Sequence, residues 1–248
     1  VSGMLAIANK DYKKAIEEIK KISNYLDKNS SLSLLIKSEV YKHEKKYEEL
    51  KIIYEEMSKD ETTENLGYRG MMEQYLRAQD YHHAFLYGEK LFNKNPFIEK
   101  IYETLVNIII KTNNWQQLAE ISDKAYSNKI IDKKNYQENK SIAYYEIAKI
   151  KQYGDRKESL ILIEKAMDLR KNFAPYVNLY IEILIHNKKY NDAKKVLKRA
   201  WSNSFHADLK NSIFGLAKHL ETTFEDLAKY IVGPLLNNEE SKILLVEA

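Results

Sequence analysis

The side chains best suited to chemistry in this sequence are its six histidines, which are able to ligate a metal or to move protons. They are His43, His82, His83, His186, His206 and His219. None of them takes part in an HExxH pattern, which would place two histidines on one face of a helix. His82 and His83 are adjacent, so on a helix their side chains point about 100° apart. The sequence therefore predicts packing or solvent-exposed histidines and no metal site.

Carboxylate pairs such as Glu17 and Glu18, or Glu55 and Glu56, are the other candidates for acid–base chemistry. Catalytic carboxylates need an apolar pocket that shifts a pKa, and these pairs lie in stretches typical of exposed helix faces. The sequence has no GxxxxGKS/T, GxGxxG or GxSxG motif. It has no cysteine, which excludes thiolate catalysis, disulfides and cysteine-ligated zinc. We predict that the protein is not an enzyme and has no cofactor.

The charges are nearly balanced, with 40 Lys and Arg against 36 Asp and Glu and a formal charge of +4. The two signs are interleaved along the chain, as on the solvated faces of helices. A nucleic-acid-binding protein would show a concentrated basic stripe with exposed aromatics, so we predict no nucleic-acid partner. The most apolar run, residues 176–185, is too short to span a bilayer and contains Glu182.

The elements that would position a site are indicated by a landmark residue, mostly Tyr or Trp, that recurs at a nearly constant interval. Each landmark has a small or apolar residue three positions later. The pairs are Tyr12/Ala15, Tyr47/Leu50, Tyr81/Ala84, Trp115/Leu118, the degenerate Arg156/Ser159, and Tyr190/Ala193. The steps between them are 35, 34, 34, 41 and 34 residues. This period is typical of paired-helix repeats that stack into a solenoid.

Each repeat is predicted to be a helix, a short polar turn and a second helix that the landmark residue opens. The tetratricopeptide pattern is clearest at Tyr68, Met71, Met72, Tyr75, Ala84, Gly88 and Pro96. We therefore predict an all-α fold, a right-handed superhelical solenoid of tetratricopeptide-like helix pairs. It is expected to be one domain over 1–248, with repeats near 1–29, 30–62, 63–96, 97–131, 132–172, 173–205 and 206–236 and a C-terminal cap at 237–248. The 41-residue step adds either a longer loop or longer helices.

Candidate partner-binding residues are the polar ones that the repeat register places on the first helices, which line the concave groove of a tetratricopeptide stack. They are Arg69, Glu73, Arg77, Lys100, Glu103, Asn107, Lys111, Tyr144, Lys151, Asn178, Glu182 and His186. Basic groups in such a groove capture an acidic segment or a C-terminal carboxylate. The alternative for each is a solvated surface residue. We expect charge reversal at Arg69, Arg77 and Lys111 to weaken partner binding. Glu73 stands where a chaperone-tail clamp would need an amide.

Three segments resemble the HemY-type tetratricopeptide proteins of proteobacteria. Residues 2–19 are similar to that family's G-L-x-A-x-A-x-G-D-(W/Y)-x-x-A start, and residues 64–96 to its L-G-x-R-G-L helix and the stretch that follows. Residues 194–209 resemble its A-W-x-x-x-P-H-P-D-L segment, with Phe205 and Ala207 in place of two prolines. The most specific positions are Arg69, Gly70, Trp201, His206 and Asp208.

The resemblance implies an interaction scaffold without catalytic residues, linked to late haem and porphyrin biosynthesis, with haem-pathway enzymes as partners. It also implies a missing N-terminal anchor that holds the repeats at the bacterial inner membrane, on its cytoplasmic side. Residues 1–12 agree with this in that they resemble the end of a helix already under way, with Leu5 and Ala8 on its inner face. The alternatives are direct haem or porphyrin binding through His186 or His206, and a generic tetratricopeptide adaptor.

Overall fold

A computed structural model describes residues 2–22, 30–97, 99–233, 235 and 238–247 of the 248-residue chain. Over these ranges the chain forms fifteen α-helices and one 3-10 turn, and it contains no β-strand. The predicted all-α fold is therefore confirmed. The predicted ends of the first and seventh repeats, at residues 29 and 236, lie outside the described residues.

The helices alternate between first helices, here called A helices, and second helices, called B helices. The A helices are α1 (Ser2–Ala8), α3 (Ser31–His43), α5 (Glu64–Arg77), α7 (Glu99–Thr112), α9 (Lys133–Lys151), α11 (Ala174–His186) and α13 (Lys210–His219). The B helices are α2 (Tyr12–Ile22), α4 (Tyr47–Met57), α6 (Tyr81–Lys94), α8 (Trp115–Ser127), α10 (Arg156–Leu169), α12 (Tyr190–Ser204) and α14 (Phe224–Val232). A last helix, α15 (Glu239–Val246), follows the seventh pair.

Backbone contacts divide the chain into two compact units, residues 1–113 and 114–248, here called unit 1 and unit 2. Unit 1 contains α1 to α7, and each of these helices packs on the next. Unit 2 contains α8 to α15, whose successive helices also pack on one another. The single domain over 1–248 and its repeat boundaries stay predictions.

The recurring residue of the sequence is the first residue of each B helix from α2 to α12. The residue three positions later is at most 1% exposed in every case: Ala15, Leu50, Ala84, Leu118, Ser159 and Ala193. One buried residue in the first turn fixes which face the B helix turns towards the core. The sequence period therefore marks both where each B helix begins and how it is rotated.

The turns from an A helix to its B helix share one geometry in both units. A residue with positive φ follows the A helix at Lys45 (57°), Gln79 (59°) and Lys188 (59°). The next backbone N–H then donates to a carbonyl in the last turn of the A helix, as Asp80 does to the Tyr75 oxygen at 2.9 Å. This arrangement is a common way to end a helix in a left-handed residue.

Two details were left open or wrong in the sequence interpretation. The additional residues of the 41-residue step lie mainly in α9, which has 19 residues, whereas α5 and α11 have 14 and 13. The predicted inner face of α1 is wrong, because Leu5 is 58% exposed and Ala8 is also exposed. Gly3 and Ala6 are buried instead. Helix α1 packs on both α2 and α3, and only small residues fit there: a β-carbon on Gly3 would lie 3.0 Å from the Ile36 side chain.

No helix within the described ranges combines the length and the apolar character that crossing a membrane requires.

Candidate interaction site on the A helices

Successive repeats are joined at one edge by contacts between a B-helix tyrosine and the last turn of the next A helix, here called the tyrosine stacks. The distances to the tyrosine ring centre are 3.7 Å for Tyr12/His43, 4.0 Å for Tyr47/Arg77, 5.1 Å for Tyr81/Lys111 and 5.5 Å for Tyr190/His219. A basic residue in the last turn of a helix also faces the negative end of its dipole. The tyrosine that defines the sequence period thus fastens neighbouring repeats as well.

Two of the predicted groove cations take part in these stacks. The Arg77 guanidinium lies over the Tyr47 ring, and the Lys111 ammonium lies over Tyr81, with Nζ 3.5 Å from the hydroxyl oxygen. Cation–π contact holds both side chains at the edge of the repeats. Their role in binding a partner stays a prediction.

Unit 1 contains a cleft of about 230 Å³ between the A helices α3 and α5. Charged side chains line it, and among them are two of the predicted residues, Arg69 and Glu73. The Arg69 Nε lies 3.2 Å from a Glu73 carboxylate oxygen, so these two form an ion pair with each other. Glu39 and Lys42 of α3 face the same cleft and were not among the predicted residues. The cleft thus brings together two carboxylates and two cations.

Tyr54 is a further residue of this cleft that sequence reasoning missed, because it belongs to the B helix α4. It is only 6% exposed and lines the cleft. Its ring lies against Gly70, where a β-carbon would come within 2.4 Å of the ring atoms. The glycine therefore makes room for the tyrosine between the two A helices. The signal in the sequence was the buried glycine pair Gly67 and Gly70 on one face of α5.

The Tyr54 hydroxyl has no hydrogen-bond partner among the described residues. Burial raises the pKa of this hydroxyl to about 12, and the nearby carboxylates of Glu73 and Glu39 contribute to the shift. Glu39 and Glu73 line the α3–α5 cleft together with Tyr54. The Tyr54 hydroxyl remains protonated at neutral pH and is a hydrogen-bond donor.

The other unit 1 candidates lie on α7. Lys100, Glu103 and Asn107 are exposed and belong to the same helix as Lys111. None of the three lines the α3–α5 cleft.

Unit 2 contains a cleft of about 380 Å³ between the A helices α11 and α13, and three predicted residues line it: Asn178, Glu182 and His186. The Asn178 amide donates to the Asp208 carbonyl at 3.1 Å and accepts from Ser212 at 2.6 Å, so it joins two repeats. Glu182 accepts a long hydrogen bond of 3.4 Å from the Tyr153 hydroxyl. The His186 ring lies 5.9 Å from the Tyr153 ring.

Two predicted residues of unit 2 lie away from this cleft. Lys151 forms an ion pair with Glu158 of α10. The Tyr144 ring is contacted by Lys140 of its own helix and by Lys165 of α10, with Nζ 5.2 and 5.7 Å from the ring centre. Neither residue lines the cleft between α11 and α13.

The remaining residues of the motif resemblance have packing contacts. Trp201 is 1% exposed, and its Nε1 donates to the Ser241 hydroxyl at 3.0 Å, which fastens α15 to α12. The His206 ring accepts from the Asp208 backbone N–H at 3.2 Å and so caps the 3-10 turn. These contacts give Trp201, His206 and Asp208 structural roles that require no bound ligand.

No group of histidine, aspartate and glutamate side chains in the described part of the chain has the arrangement needed to hold a metal ion.

The period, the paired helices and the buried first turn of each B helix define a helical-repeat protein of the tetratricopeptide type. No family model matches the chain, and no curated protein matches it. A chain of the solved structure of Naa15/Naa10 bound to HypK-THB is similar over 98% of this sequence, with a TM-score of 0.59 and 15% identity. This chain spans 38% of the length of that relative.

Similarity to two shorter solved proteins is weaker. The MamA protein covers 74% of this chain, and 92% of its own length, with a TM-score of 0.44 and 11% identity. A tetratricopeptide repeat protein from Parabacteroides merdae covers 98% of this chain, and 94% of its own length, with a TM-score of 0.43 and 14% identity. At these identities the similarity concerns the fold, and the HemY-type resemblance stays a prediction.

Proposed function

We propose that this chain is a non-enzymatic protein-interaction scaffold that binds extended segments of partner proteins on the faces of its A helices. The observation that carries the proposal is that each unit has a polar cleft between two successive A helices, α3 and α5 or α11 and α13. Such clefts present charged and amide groups that can bind a peptide, and this binding requires no catalytic residues. The similar chain in the Naa15/Naa10 structure, which is bound to HypK-THB, provides a precedent for this fold within a protein complex.

The charges of the unit 1 candidates favour an acidic partner segment. Four of the predicted residues are basic, Arg69, Arg77, Lys100 and Lys111, and two are acidic, Glu73 and Glu103. Arginine and lysine bind carboxylates through charge-assisted hydrogen bonds. The unit 2 candidates include one basic residue, Lys151, and one acidic residue, Glu182, whose formal charges sum to zero; the others are Tyr144, Asn178 and His186. We therefore expect unit 1 to contribute most of the electrostatic attraction.

The test is a cross-linked pull-down of the full-length protein from its native membranes, read by mass spectrometry. Arg69→Glu with Lys100→Glu removes two cations that do not belong to the tyrosine stacks. Charge reversal at Arg77 or Lys111 would also remove a tyrosine stack. An effect on partner binding could then not be separated from an effect on stability. The matched control reverses two exposed B-helix lysines, Lys13→Glu and Lys195→Glu. The proposal requires partners that the A-helix variant loses and the control retains. Equal recovery with both variants would contradict it.

The finer part of the proposal is a link to haem. We propose haem-pathway enzymes as the partners and an N-terminal anchor at the bacterial inner membrane, on the cytoplasmic side. The support for both is the motif resemblance at Arg69, Gly70, Trp201, His206 and Asp208. Enrichment of haem-pathway enzymes in the same pull-down would support this link. Recovery of unrelated partners alone would reduce the function to a general tetratricopeptide adaptor.

Direct haem or porphyrin binding is the second candidate, and one observation favours it. His186 and His219 line the same cleft together with the apolar Ile181 and Ile185, and an axial histidine is a common haem ligand. A titration of the purified protein with hemin tests this candidate. A saturable Soret shift that His186→Ala abolishes would support it. No saturable shift, or one that both His186→Ala and His206→Ala leave unchanged, would remove it.

A further inference from the structure

The α3–α5 cleft of unit 1 is lined by Tyr54, whose hydroxyl has no hydrogen-bond partner among the described residues. Tyr54 as a whole is 6% exposed. The hydroxyl oxygen itself is open to solvent. Because Tyr54 lines the cleft, a group that enters the cleft can reach this hydroxyl. An oxygen acceptor in the cleft would therefore replace solvent as the partner of a donor that no described residue engages.

The cleft also offers an acceptor. Glu39 makes no ion pair or hydrogen bond with a described side chain, whereas Glu73 is already paired with Arg69. The four charged residues that line the cleft, Glu39, Lys42, Arg69 and Glu73, sum to zero. A formally neutral cleft gives little preference to either an anion or a cation. It suits a neutral group that both accepts from Tyr54 and donates to Glu39.

A carboxamide has this combination, with an acceptor oxygen and an NH2 group that donates twice. The apolar lining of the cleft includes Leu66 and Met57, against which the methylene stem of such a side chain would pack. A volume of about 230 Å³ accommodates a side chain of this size. We propose that the α3–α5 cleft receives an asparagine or glutamine side chain of the partner segment, held between the Tyr54 hydroxyl and the Glu39 carboxylate. This inference rests on the proposed function, because it names the group that a bound partner would insert.

The folding of the test variant is checked first. Tyr54→Phe removes only the hydroxyl, which has no partner to lose, so its Tm should equal or exceed that of the wild type. The matched control is Tyr176→Phe: that tyrosine is 1% exposed, and its hydroxyl lies 3.0 Å from the Ser141 hydroxyl. The control should have a lower Tm, because the buried bond between the Tyr176 and Ser141 hydroxyls is lost and Ser141 keeps only its bond to the Glu138 carbonyl. A lower Tm for Tyr54→Phe would show that its hydroxyl already has a structural partner, and this would overturn the inference.

Binding is measured by amide NMR shifts of the isotope-labelled protein during titration with three capped peptides, Ala-Ala-X-Ala-Ala. The central residue X is glutamine, glutamate or norleucine, which share a similar chain length. We expect the glutamine peptide to shift the Gly70 amide saturably and to bind about threefold to tenfold more tightly than the norleucine peptide, the range of one hydrogen bond. Tyr54→Phe should abolish this difference, and Glu39→Gln should reduce it.

Three results would overturn the inference: equal affinity for glutamine and norleucine, unchanged glutamine binding by Tyr54→Phe, or no saturable shift with any peptide. Tighter binding of the glutamate peptide than of the glutamine peptide would show an anion site instead and would overturn it too. The proposed function is tested separately by the pull-down. Partners that Arg69→Glu with Lys100→Glu loses and Tyr54→Phe retains would leave the scaffold function intact while removing the carboxamide site.

Discussion

Glycines occupy close helix contacts in unit 1, whereas Gly154 and Gly215 of unit 2 lie in open space and the third glycine there, Gly233, would make only ordinary contacts at 3.8 Å or more. A β-carbon on Gly67 would come within 2.5 Å of the Ser58 backbone nitrogen, and one on Gly88 within 2.8 Å of the Leu105 side chain. A β-carbon on Gly154 or Gly215 in unit 2 would meet nothing within 4 Å. The helix contacts of unit 1 therefore leave no room for a β-carbon at these glycines, whereas unit 2 has room for one at Gly154 and Gly215.

Unit 2 joins its helices through buried hydrogen bonds of hydroxyl groups. The Ser159 hydroxyl donates to the Ala148 carbonyl at 2.7 Å, and the Ser241 hydroxyl accepts from Trp201 at 3.0 Å. In the described part of unit 1, the Thr63 hydroxyl donates a comparable bond to the Met57 carbonyl at 2.8 Å. Close helix packing at glycines thus stabilises the repeats of unit 1, whereas buried hydrogen bonds of hydroxyl groups stabilise those of unit 2. Substitutions should therefore affect the two units differently.

The largest expected effect is that of Gly67→Ala. Its methyl group would lie 2.5 Å from the Ser58 nitrogen and 2.8 Å from the Tyr54 carbonyl oxygen. Backbone atoms cannot rotate away, so α5 would have to separate from α4. We expect a loss of about 2–3 kcal/mol of unfolding free energy, measured by urea denaturation.

The matched control for this prediction is Gly215→Ala in α13 of unit 2. Its methyl group meets no atom within 4 Å, so the higher helix propensity of alanine should raise stability by about 0.5–1 kcal/mol. Equal effects of the two substitutions would contradict the difference between the units.

Ser241→Ala is expected to have the next largest effect. Ser241 is fully buried, and its loss would leave the Trp201 indole N–H without its partner. A buried unsatisfied donor costs about 1–3 kcal/mol. We expect faster hydrogen exchange across α15 together with the lower stability. Ser202→Ala is the control, because its hydroxyl bond to the Lys198 carbonyl is exposed; an equal loss there would show that burial does not matter.

The repeat architecture was predictable because it depends on local, periodic signals. Tyr47 and Tyr81 are spaced by one repeat, and each opens a B helix whose first turn holds a buried residue. The cleft was only partly predictable. The register placed Arg69 and Glu73 on one helix, and both line the cleft. It did not reveal that Arg77 of the same helix is stacked on Tyr47.

What the sequence could not supply is the contact between repeats. Tyr54 reaches the A-helix cleft from a B helix, because Gly70 of the next repeat leaves room for its ring. Asn178 lines the α11–α13 cleft, and its amide also donates to the Asp208 carbonyl about one repeat further along. These contacts join residues that are 16 positions apart for Tyr54 and Gly70 and 30 positions apart for Asn178 and Asp208. Because the two residues of each pair belong to different repeats, the residue pattern of a single repeat does not reveal the contact.

A smaller effect is expected from the Tyr47/Arg77 stack of unit 1. A double-mutant cycle with Tyr47→Leu and Arg77→Met should give a coupling energy of about 0.5–1 kcal/mol, as for exposed cation–π pairs. In unit 2 the first residue of α10 is Arg156, which has no ring and donates a long 3.4 Å hydrogen bond to the His186 carbonyl. Arg156→Met should therefore change stability by less than about 0.5 kcal/mol. A coupling of zero at Tyr47/Arg77 would show that the tyrosine stacks do not join repeats.

The smallest effect concerns the turns, where the two units do not differ. Gln79 in unit 1 and Lys188 in unit 2 have the same φ of 59°. A residue other than glycine pays about 1–2 kcal/mol for this conformation, but glycine loses more backbone freedom on folding. Gln79→Gly and Lys188→Gly should therefore both be neutral or stabilising by up to about 1 kcal/mol, measured as thermal unfolding. Gln79→Val should destabilise, because a β-branched residue resists positive φ. Since the turn closes each pair in the same way, effects of opposite sign in the two units would mean that contacts with neighbouring repeats, rather than the turn itself, set its conformation.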